Sequence, residues 1–208
     1  MIQVEELLRM CPVIPVLVIE RADQAGPMAR ALARGGLRVL EVTLRTPEGL
    51  GAIAAMRAAA PEVVVGAGTV NSAGLVADAQ AAGAQFIVSP GLTETLAAAT
   101  AAHGLPFLPG VATAGEILRG LELGFTAFKF FPAETSGGVA AVRAFAGPFA
   151  HVSFCPTGGI TLAKAPDYLG LANVRCVGGS WLTPRDAVAA GDWDAIEALA
   201  AAAAALAA

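Results

Sequence analysis

Charged side chains are scarce in this chain, and basic residues are nowhere clustered. Asp, Glu, Lys and Arg make up 14% of the 208 residues, and the formal net charge at pH 7 is -4. Nucleic acids and anionic membrane surfaces are bound mainly through grouped Lys and Arg side chains. The sequence therefore predicts no nucleic-acid partner and no membrane partner, and any anionic ligand must be held locally.

Cysteine is also rare, and the apolar run near the N-terminus is short. The three cysteines, Cys11, Cys155 and Cys176, lie in apolar strand-like runs, where buried reduced thiols are expected. The run at residues 11–19 is too short to span a bilayer, and acidic residues rather than a basic leader precede it. These features predict a cytoplasmic protein without an export signal.

Histidine occurs only at His103 and His151, at a predicted helix end and a predicted strand start. No Asp or Cys stands in ligand-like spacing at the predicted strand ends, where a catalytic metal would be needed. We therefore expect no metal, and neither a metal-dependent aldolase nor a metal-dependent sugar-phosphate epimerase.

Lysine occurs only twice, as Lys129 and Lys164. Lys129 lies in an aromatic strand-like segment, and alternation along that strand directs Lys129 and Phe131 to the same face. An ammonium among apolar groups is costly, and loss of its proton leaves a neutral, nucleophilic amine that suits Schiff-base chemistry. The alternative is a lysine whose stem packs while its head reaches a strand end. The segment alone favours neither interpretation.

Helical and strand-like segments alternate along the chain, after a short N-terminal helix predicted at residues 1–10. The predicted strands are short and apolar: residues 13–19, 38–43, 63–67, 86–89, 106–109, 126–130, 151–155 and 174–177. Short apolar strands separated by helices are typical of parallel strands that are buried on both faces. The last helix is predicted to begin near Pro184.

Two α/β architectures accommodate this alternation. Eight units of roughly 20 to 25 residues match the small end of closed (β/α)8 barrels. A doubly wound open sheet is the alternative, but the first strand-helix turn lacks a glycine-rich dinucleotide motif. We therefore predict a (β/α)8 TIM barrel that forms a single domain over residues 1–208.

In such a barrel the C-terminal ends of the strands meet at one mouth, where catalytic side chains belong. Glu41 shares a strand face with Thr43 and is predicted to point inward, toward Lys129. Arg45, just beyond this strand, adds a positive charge that favours the carboxylate form of Glu41. The two charged residues are either part of the chemistry, which the pattern favours, or a structural ion pair.

Two glycine pairs follow the last two predicted strands, in the segments Thr157-Gly158-Gly159 and Gly178-Gly179-Ser180. Glycine leaves backbone N–H groups unshielded, and such turns near helix N-termini form anion sites. Either pair can instead be an ordinary tight turn. Their position on neighbouring strand ends favours a site for a phosphate or another anion.

Five segments carry a resemblance to a known family: 41–46 (EVTLRT), 65–70 (VGAGTV), 89–91 (SPG), 128–134 (FKFFPAE) and 154–160 (FCPTGGI). In this order they resemble the bacterial KDPG/KHG aldolases, the 2-keto-3-deoxy-6-phosphogluconate and 4-hydroxy-2-oxoglutarate aldolases. The resemblance extends from about residue 11 to residue 184. It implies a class I aldolase on a (β/α)8 barrel that cleaves small 2-keto acids, needs no cofactor and forms a homotrimer.

The same resemblance implies a role for individual residues. Lys129 matches the Schiff-base lysine, Glu41 the proton-shuttling glutamate, and Phe131 an aromatic ring that packs against bound substrate. The site for the pyruvate carboxylate is matched by Arg45, Thr69 and the backbone around Pro90. The phosphate site is matched by Gly158, Gly159, Gly179 and Ser180, with Thr157 beside it.

Two other function classes stay open. One is a different phosphate-binding barrel enzyme, such as a sugar-phosphate isomerase, and the other is a non-catalytic barrel that binds a phosphorylated metabolite. Neither has a use for Lys129. The glycine turns fit a phosphate or the distal carboxylate of hydroxy-oxoglutarate, so the preferred substrate is not predicted.

Overall fold

The strands of the protein, taken from a computed structural model that describes residues 3–206, are all short. They are β1 (Val13–Leu17), β2 (Val39–Thr43), β3 (Val64–Gly68), β4 (Ile87–Val88), β5 (Phe107–Leu108), β6 (Gly110–Val111), β7 (Ala127–Phe130), β8 (Ser153–Pro156) and β9 (Val177–Gly179). The strands pair in parallel, as expected where helices connect them. The predicted α/β class is confirmed.

The helices lie between these strands. They are α1 (Val4–Leu7), α2 (Ala22–Arg34), α3 (Gly49–Ala59), α4 (Ala73–Ala81), α5 (Glu94–Ala102), α6 (Ala114–Glu122), α7 (Gly138–Phe145), α8 (Ala165–Leu169), α9 (Arg185–Ala190) and α10 (Trp193–Ala204), with a 3-10 helix at Glu134–Ser136. None of the helices within residues 3–206 is long and apolar enough to cross a membrane.

Both ends of the chain differ from the prediction. The helix predicted at residues 1–10 is reduced to α1, and its first two residues lie outside the described range. The last predicted helix is two helices, because Gly191 takes a left-handed φ of 68° and ends α9. The Asp192 carboxylate then accepts the Ala195 N–H at 3.0 Å and starts α10.

The strands do not close into the predicted eight-stranded barrel. Six form a curled half-barrel in the order β5-β4-β3-β2-β1-β9, and three form a second sheet in the order β6-β7-β8. The predicted strand 106–109 contains β5, and an unpredicted strand, β6, begins just beyond it, after Pro109, which has no N–H to donate. On one side of it β5 pairs with β4, and on the other β6 pairs with β7. The prediction of a closed (β/α)8 TIM barrel is therefore wrong.

The opposite edges of the two sheets are also joined only loosely. The predicted strand 174–177 becomes β9, whose three residues start where the prediction ended. Next to β8 it makes an isolated bridge between Thr157 and Gly178. This contact still brings the two glycine segments side by side.

Aromatic packing on the outer side of the second sheet determines which way β7 faces. Phe128 and Phe130 are fully buried. The Phe130 ring lies 6.0 Å from that of Phe145 on α7, and a side chain at Gly120 on α6 would overlap Phe128. Because successive residues of a strand point to opposite faces, Lys129 between them points away from the helices, into the space between the sheets.

We expect the three cysteine thiols to be unreactive in the folded protein. All are free and buried, and burial raises the pKa of Cys11 from its ordinary value of 9.0 to about 11. A chromogenic disulfide reagent at about pH 8 should modify none of them in the native state and all three in denaturant. Rapid modification of the native protein would contradict the buried placement.

The raised pKa also predicts how stability changes in alkali. A folded-state pKa above the unfolded value means that the folded protein keeps the Cys11 proton longer than the unfolded chain does. This contribution is present below about pH 9 and is lost as the pH rises through about 11. Cys11→Ala should therefore flatten the loss of stability over that window, measured by denaturant unfolding.

Candidate active site

A buried ion pair joins the two sheets at the centre of the molecule. Lys129 Nζ donates to Glu41 Oε1 at 2.9 Å and to Oε2 at 3.3 Å. The two side chains are only 5% and 4% exposed. Two opposite charges that are buried away from solvent interact strongly, and removal of one partner leaves the other charge buried and unpaired.

Glycine on the neighbouring strand leaves room for the carboxylate. Glu41 lies on β2, and Gly68 lies at the end of β3, which pairs with β2 along its whole length. A Cβ at Gly68 would overlap the Glu41 side chain, whose Oε1 occupies that space. Any larger residue at position 68 would push the carboxylate away from Lys129.

Phe131 and Pro90 lie close to the lysine. Lys129 Nζ is 5.4 Å from the centre of the Phe131 ring, a distance at which a cation and an aromatic face attract. On the other side Gly110 is the register partner of Lys129, and a side chain at Gly110 would overlap the backbone of Pro90. An aromatic ring thus lies near the amine, and the Pro90 backbone lies against the strand next to the lysine strand.

Arg45 and Thr69 form a second polar group at the C-terminal ends of β2 and β3. Arg45 Nε donates to Thr69 Oγ1 at 3.2 Å, and Arg45 is exposed. Thr69 has a φ of 60°, a left-handed conformation that is strained for a β-branched residue and that persists only where its surroundings impose it. A guanidinium beside a hydroxyl is a suitable site for a carboxylate.

The first glycine segment is tied to the end of the lysine strand. The Ala133 N–H donates to Thr157 O at 2.8 Å, and the Glu134 N–H donates to Gly158 O at 3.1 Å. Gly158 and Gly159 have φ values of 107° and 76°, which only glycine adopts readily. The loop after β8 is therefore held against the segment that follows Lys129.

The second glycine segment lies beside the first. A side chain at Gly178 would overlap Thr157, and one at Gly179 would overlap the Trp181 ring. Ser180 is exposed and lines a pocket of 560 Å³. Arg21 and Arg185 lie on the walls of the same pocket.

Most of the predicted site residues thus fall into a connected set. Direct contacts or adjacent backbone link Lys129, Glu41, Phe131, Gly158, Thr157 and Gly179. Pro90 reaches this set through Gly110, and Arg45 and Thr69 form a separate pair. Ser180 follows Gly179 but faces the pocket described above. Among residues 3–206, no group of three or more His, Cys, Asp or Glu side chains is arranged to hold a metal ion.

A buried amine beside a carboxylate can perform two chemical tasks. In its neutral form the amine is a nucleophile toward carbonyl carbon, and the carboxylate can carry protons to and from the adduct.

A family model described as KDPG and KHG aldolase matches residues 4–199. The chain belongs to this family. The resemblance inferred from the five sequence segments is confirmed.

Members of the aldolase family with known names are similar over most of this chain. The KHG/KDPG aldolase of Escherichia coli strain K12 is 52% identical over 196 residues, which cover 94% of this chain and 92% of the relative. The 2-dehydro-3-deoxy-phosphogluconate aldolase of Pseudoalteromonas atlantica is 53% identical over 189 residues, which cover 91% and 88% of the two chains.

Solved structures of the aldolase family agree with the fold. The KDPG aldolase of Legionella pneumophila, with pyruvate captured at low pH as a covalent carbinolamine intermediate, has a TM-score of 0.95 at 44% identity and covers 98% of each chain. The aldolase of Zymomonas mobilis ZM4 with 3-phosphoglycerate has a TM-score of 0.92 at 50% identity, over 98% of this chain and 95% of its own.

Two features of the site were not predicted from the sequence. Gly68 belongs to the quoted segment 65–70, but its contact with Glu41 depends on the register of two strands. Glu134 ends the quoted segment 128–134, and its side chain contacts Lys164, which is 30 residues away. The rarity of lysine was the one signal that could have drawn attention to position 164.

Proposed function

We propose that this protein is a class I aldolase that cleaves 2-keto-3-deoxy-6-phosphogluconate to pyruvate and glyceraldehyde 3-phosphate, 4-hydroxy-2-oxoglutarate to pyruvate and glyoxylate, or both. The observation that carries the proposal is the buried Lys129 amine, 2.9 Å from the Glu41 carboxylate. Membership in the aldolase family supports it. So does the covalent pyruvate carbinolamine in the Legionella pneumophila relative.

The first half of the reaction forms an imine. One proton passes from the Lys129 ammonium to the Glu41 carboxylate. The neutral amine then adds to the C2 ketone of the substrate, and one amine proton moves to the former carbonyl oxygen to give a carbinolamine. Glu41 carries a proton to the departing hydroxyl, and water leaves as the nitrogen lone pair forms the C=N bond. The product is a protonated imine on Lys129, which can accept an electron pair.

The second half breaks the carbon–carbon bond. The Glu41 carboxylate accepts the proton of the C4 hydroxyl, the C4 aldehyde forms, and the C3–C4 electron pair moves into the imine to give an enamine. Protonation at C3 and addition of water to the resulting imine then release pyruvate and regenerate the lysine. The protonated imine on Lys129 accepts the electron pair, so these steps need neither a metal nor a cofactor.

The remaining predicted residues are assigned to binding. The substrate carboxylate is placed against Arg45 and Thr69, with the backbone near Pro90, and Phe131 packs on the substrate. The distal anion is placed against the two glycine segments, at Gly158, Gly159, Gly179 and Ser180, with Thr157 beside them. The contact between Arg45 and Thr69 and the contacts that hold the two glycine segments side by side support these assignments.

Three further assignments are part of the proposal. One continuous cluster of buried hydrophobic residues supports a single domain. The homotrimer rests on the family resemblance. The cytoplasmic location rests on the three free, buried cysteines, since disulfides are rare in that compartment.

The proposal is tested by trapping the imine. Pyruvate and sodium borohydride together should reduce the imine to a stable secondary amine on Lys129, located by peptide mass mapping. The Lys129 side chain is 5% exposed and lies beside Glu41, whereas the Lys164 side chain is 50% exposed on the surface, so label should concentrate at Lys129. A reaction without pyruvate is the control. Label found only on Lys164, or on neither lysine, would overturn the class I assignment.

A further inference from the structure

Three side chains outside the assigned catalytic residues form a polar cluster: Glu134, Lys164 and Tyr168. The Lys164 ammonium forms an ion pair with Glu134 Oε2, and the Tyr168 hydroxyl donates to Glu134 Oε1 at 2.5 Å. Tyr168 is fully buried, whereas the Glu134 and Lys164 side chains are 27% and 50% exposed. Both oxygens of the Glu134 carboxylate are therefore held.

The cluster lies against the loop assigned to the distal anion. The Glu134 N–H donates to Gly158 O at 3.1 Å. A Cβ at Gly159 would lie 2.8 Å from Glu134 Cγ and 2.9 Å from its Cβ, so the side chain of Glu134 covers this glycine. Movement of Glu134 would therefore move the loop.

The charge of Glu134 matters at this position. A carboxylate close to an anion site repels its ligand unless a neighbouring cation offsets it. The hydrogen bond from Lys164, followed by the one from Tyr168, lowers the pKa of Glu134, so this carboxylate is anionic at neutral pH. Lys164 is the cation in contact with it.

We propose that Lys164 is a specificity-determining residue that lets the Gly158–Gly159 loop accept a dianionic phosphate in preference to a monoanionic carboxylate. It does so by offsetting the charge of Glu134, which lies against Gly159. Lys164 therefore shifts the preference of the site toward the phosphorylated 2-keto acid. This inference rests on the proposed aldolase function and adds a substrate preference to it.

The test compares kcat/KM for the two substrates in matched variants. Lys164→Met should lower kcat/KM for the phosphorylated substrate about 5-fold, mainly through KM, and that for hydroxy-oxoglutarate less than about 2-fold. Lys164→Arg keeps the charge and should retain the preference. In the double variant Lys164→Met/Glu134→Gln, the ratio of kcat/KM for the two substrates should return to within about 2-fold of the wild-type ratio, since the uncompensated carboxylate is gone.

The electrostatic role of Lys164 also predicts how the selective loss depends on ionic strength. Because the groups are partly exposed, the selective loss in Lys164→Met should shrink as ionic strength rises. Equal losses on both substrates, no selective loss, or no recovery in the double variant would each overturn the inference. Pyruvate trapping on Lys129 in the wild-type protein reports separately on the aldolase proposal, so failure of one is distinguishable from failure of the other.

Discussion

Lys129→Arg is expected to abolish both aldol cleavage and pyruvate trapping while the protein stays folded. A guanidinium keeps its proton at neutral pH and cannot form the imine. It preserves a positive charge next to Glu41, whose carboxylate lies 2.9 Å from the native amine. The loss of kcat should be at least about 10⁴-fold, as when a catalytic nucleophile is removed. Pyruvate release measures aldol cleavage, mass mapping after borohydride measures trapping, and circular dichroism shows whether the variant is folded.

Lys164→Arg is the matched control, because it makes the same change at the other lysine of the chain. It should retain cleavage and trapping. Lys129→Met is a poorer variant, since it leaves Glu41 buried without its cation and should destabilise the fold by about 3–5 kcal/mol. Imine trapping that persists in Lys129→Arg would show that another group forms the adduct.

Glu41→Gln should lower kcat by about 10²–10⁴-fold with little change in the fold, since an amide cannot carry the proton that a carboxylate can. Glutamine has nearly the same shape and can still accept a hydrogen bond from Lys129, 2.9 Å away in the native pair. The rate of imine formation, followed by trapping with borohydride at successive times, should fall with kcat. These two rates are the measurements that check the prediction.

Thr43→Val is the control for disturbance of the same strand. The Thr43 hydroxyl donates to Leu17 O at 2.8 Å, and its loss should reduce stability by about 1 kcal/mol without a large change in kcat. A Glu41→Gln variant that keeps near-native kcat but loses stability would mean that the ion pair is structural. Both variants should therefore be compared by kcat and by denaturant unfolding.

Local patterns predicted most of the strands and helices well. The segment predicted at residues 38–43 contains β2, and the segment 126–130 contains β7. Side-chain alternation within β7 also indicated that Lys129 would lie on the opposite face from Phe128 and Phe130. Such predictions succeed because the order of apolar and polar residues within a short strand indicates which of its side chains are buried.

Closure of the sheet was predicted wrongly because it depends on hydrogen bonds between strands. A strand was predicted to end at Pro109, but a second short strand follows it directly, and the two belong to different sheets on either side of a residue that has no N–H to donate. Likewise β9 starts at Val177, where the prediction had placed a strand end. The hydropathy of a segment does not indicate which backbone N–H and C=O groups of neighbouring strands will pair.

The sequence by itself determined the family, the α/β class and the identity of the unusual charged residues, because each depends on which residue types occur and in what order. The tertiary structure alone decided the rest. It brought Lys129 to within 2.9 Å of Glu41, which lies 88 positions earlier in the sequence, opened space for the carboxylate at Gly68, and placed Lys164 against Glu134 beside the anion loop. These contacts join residues distant in sequence, and only packing of the two sheets and their helices sets such distances.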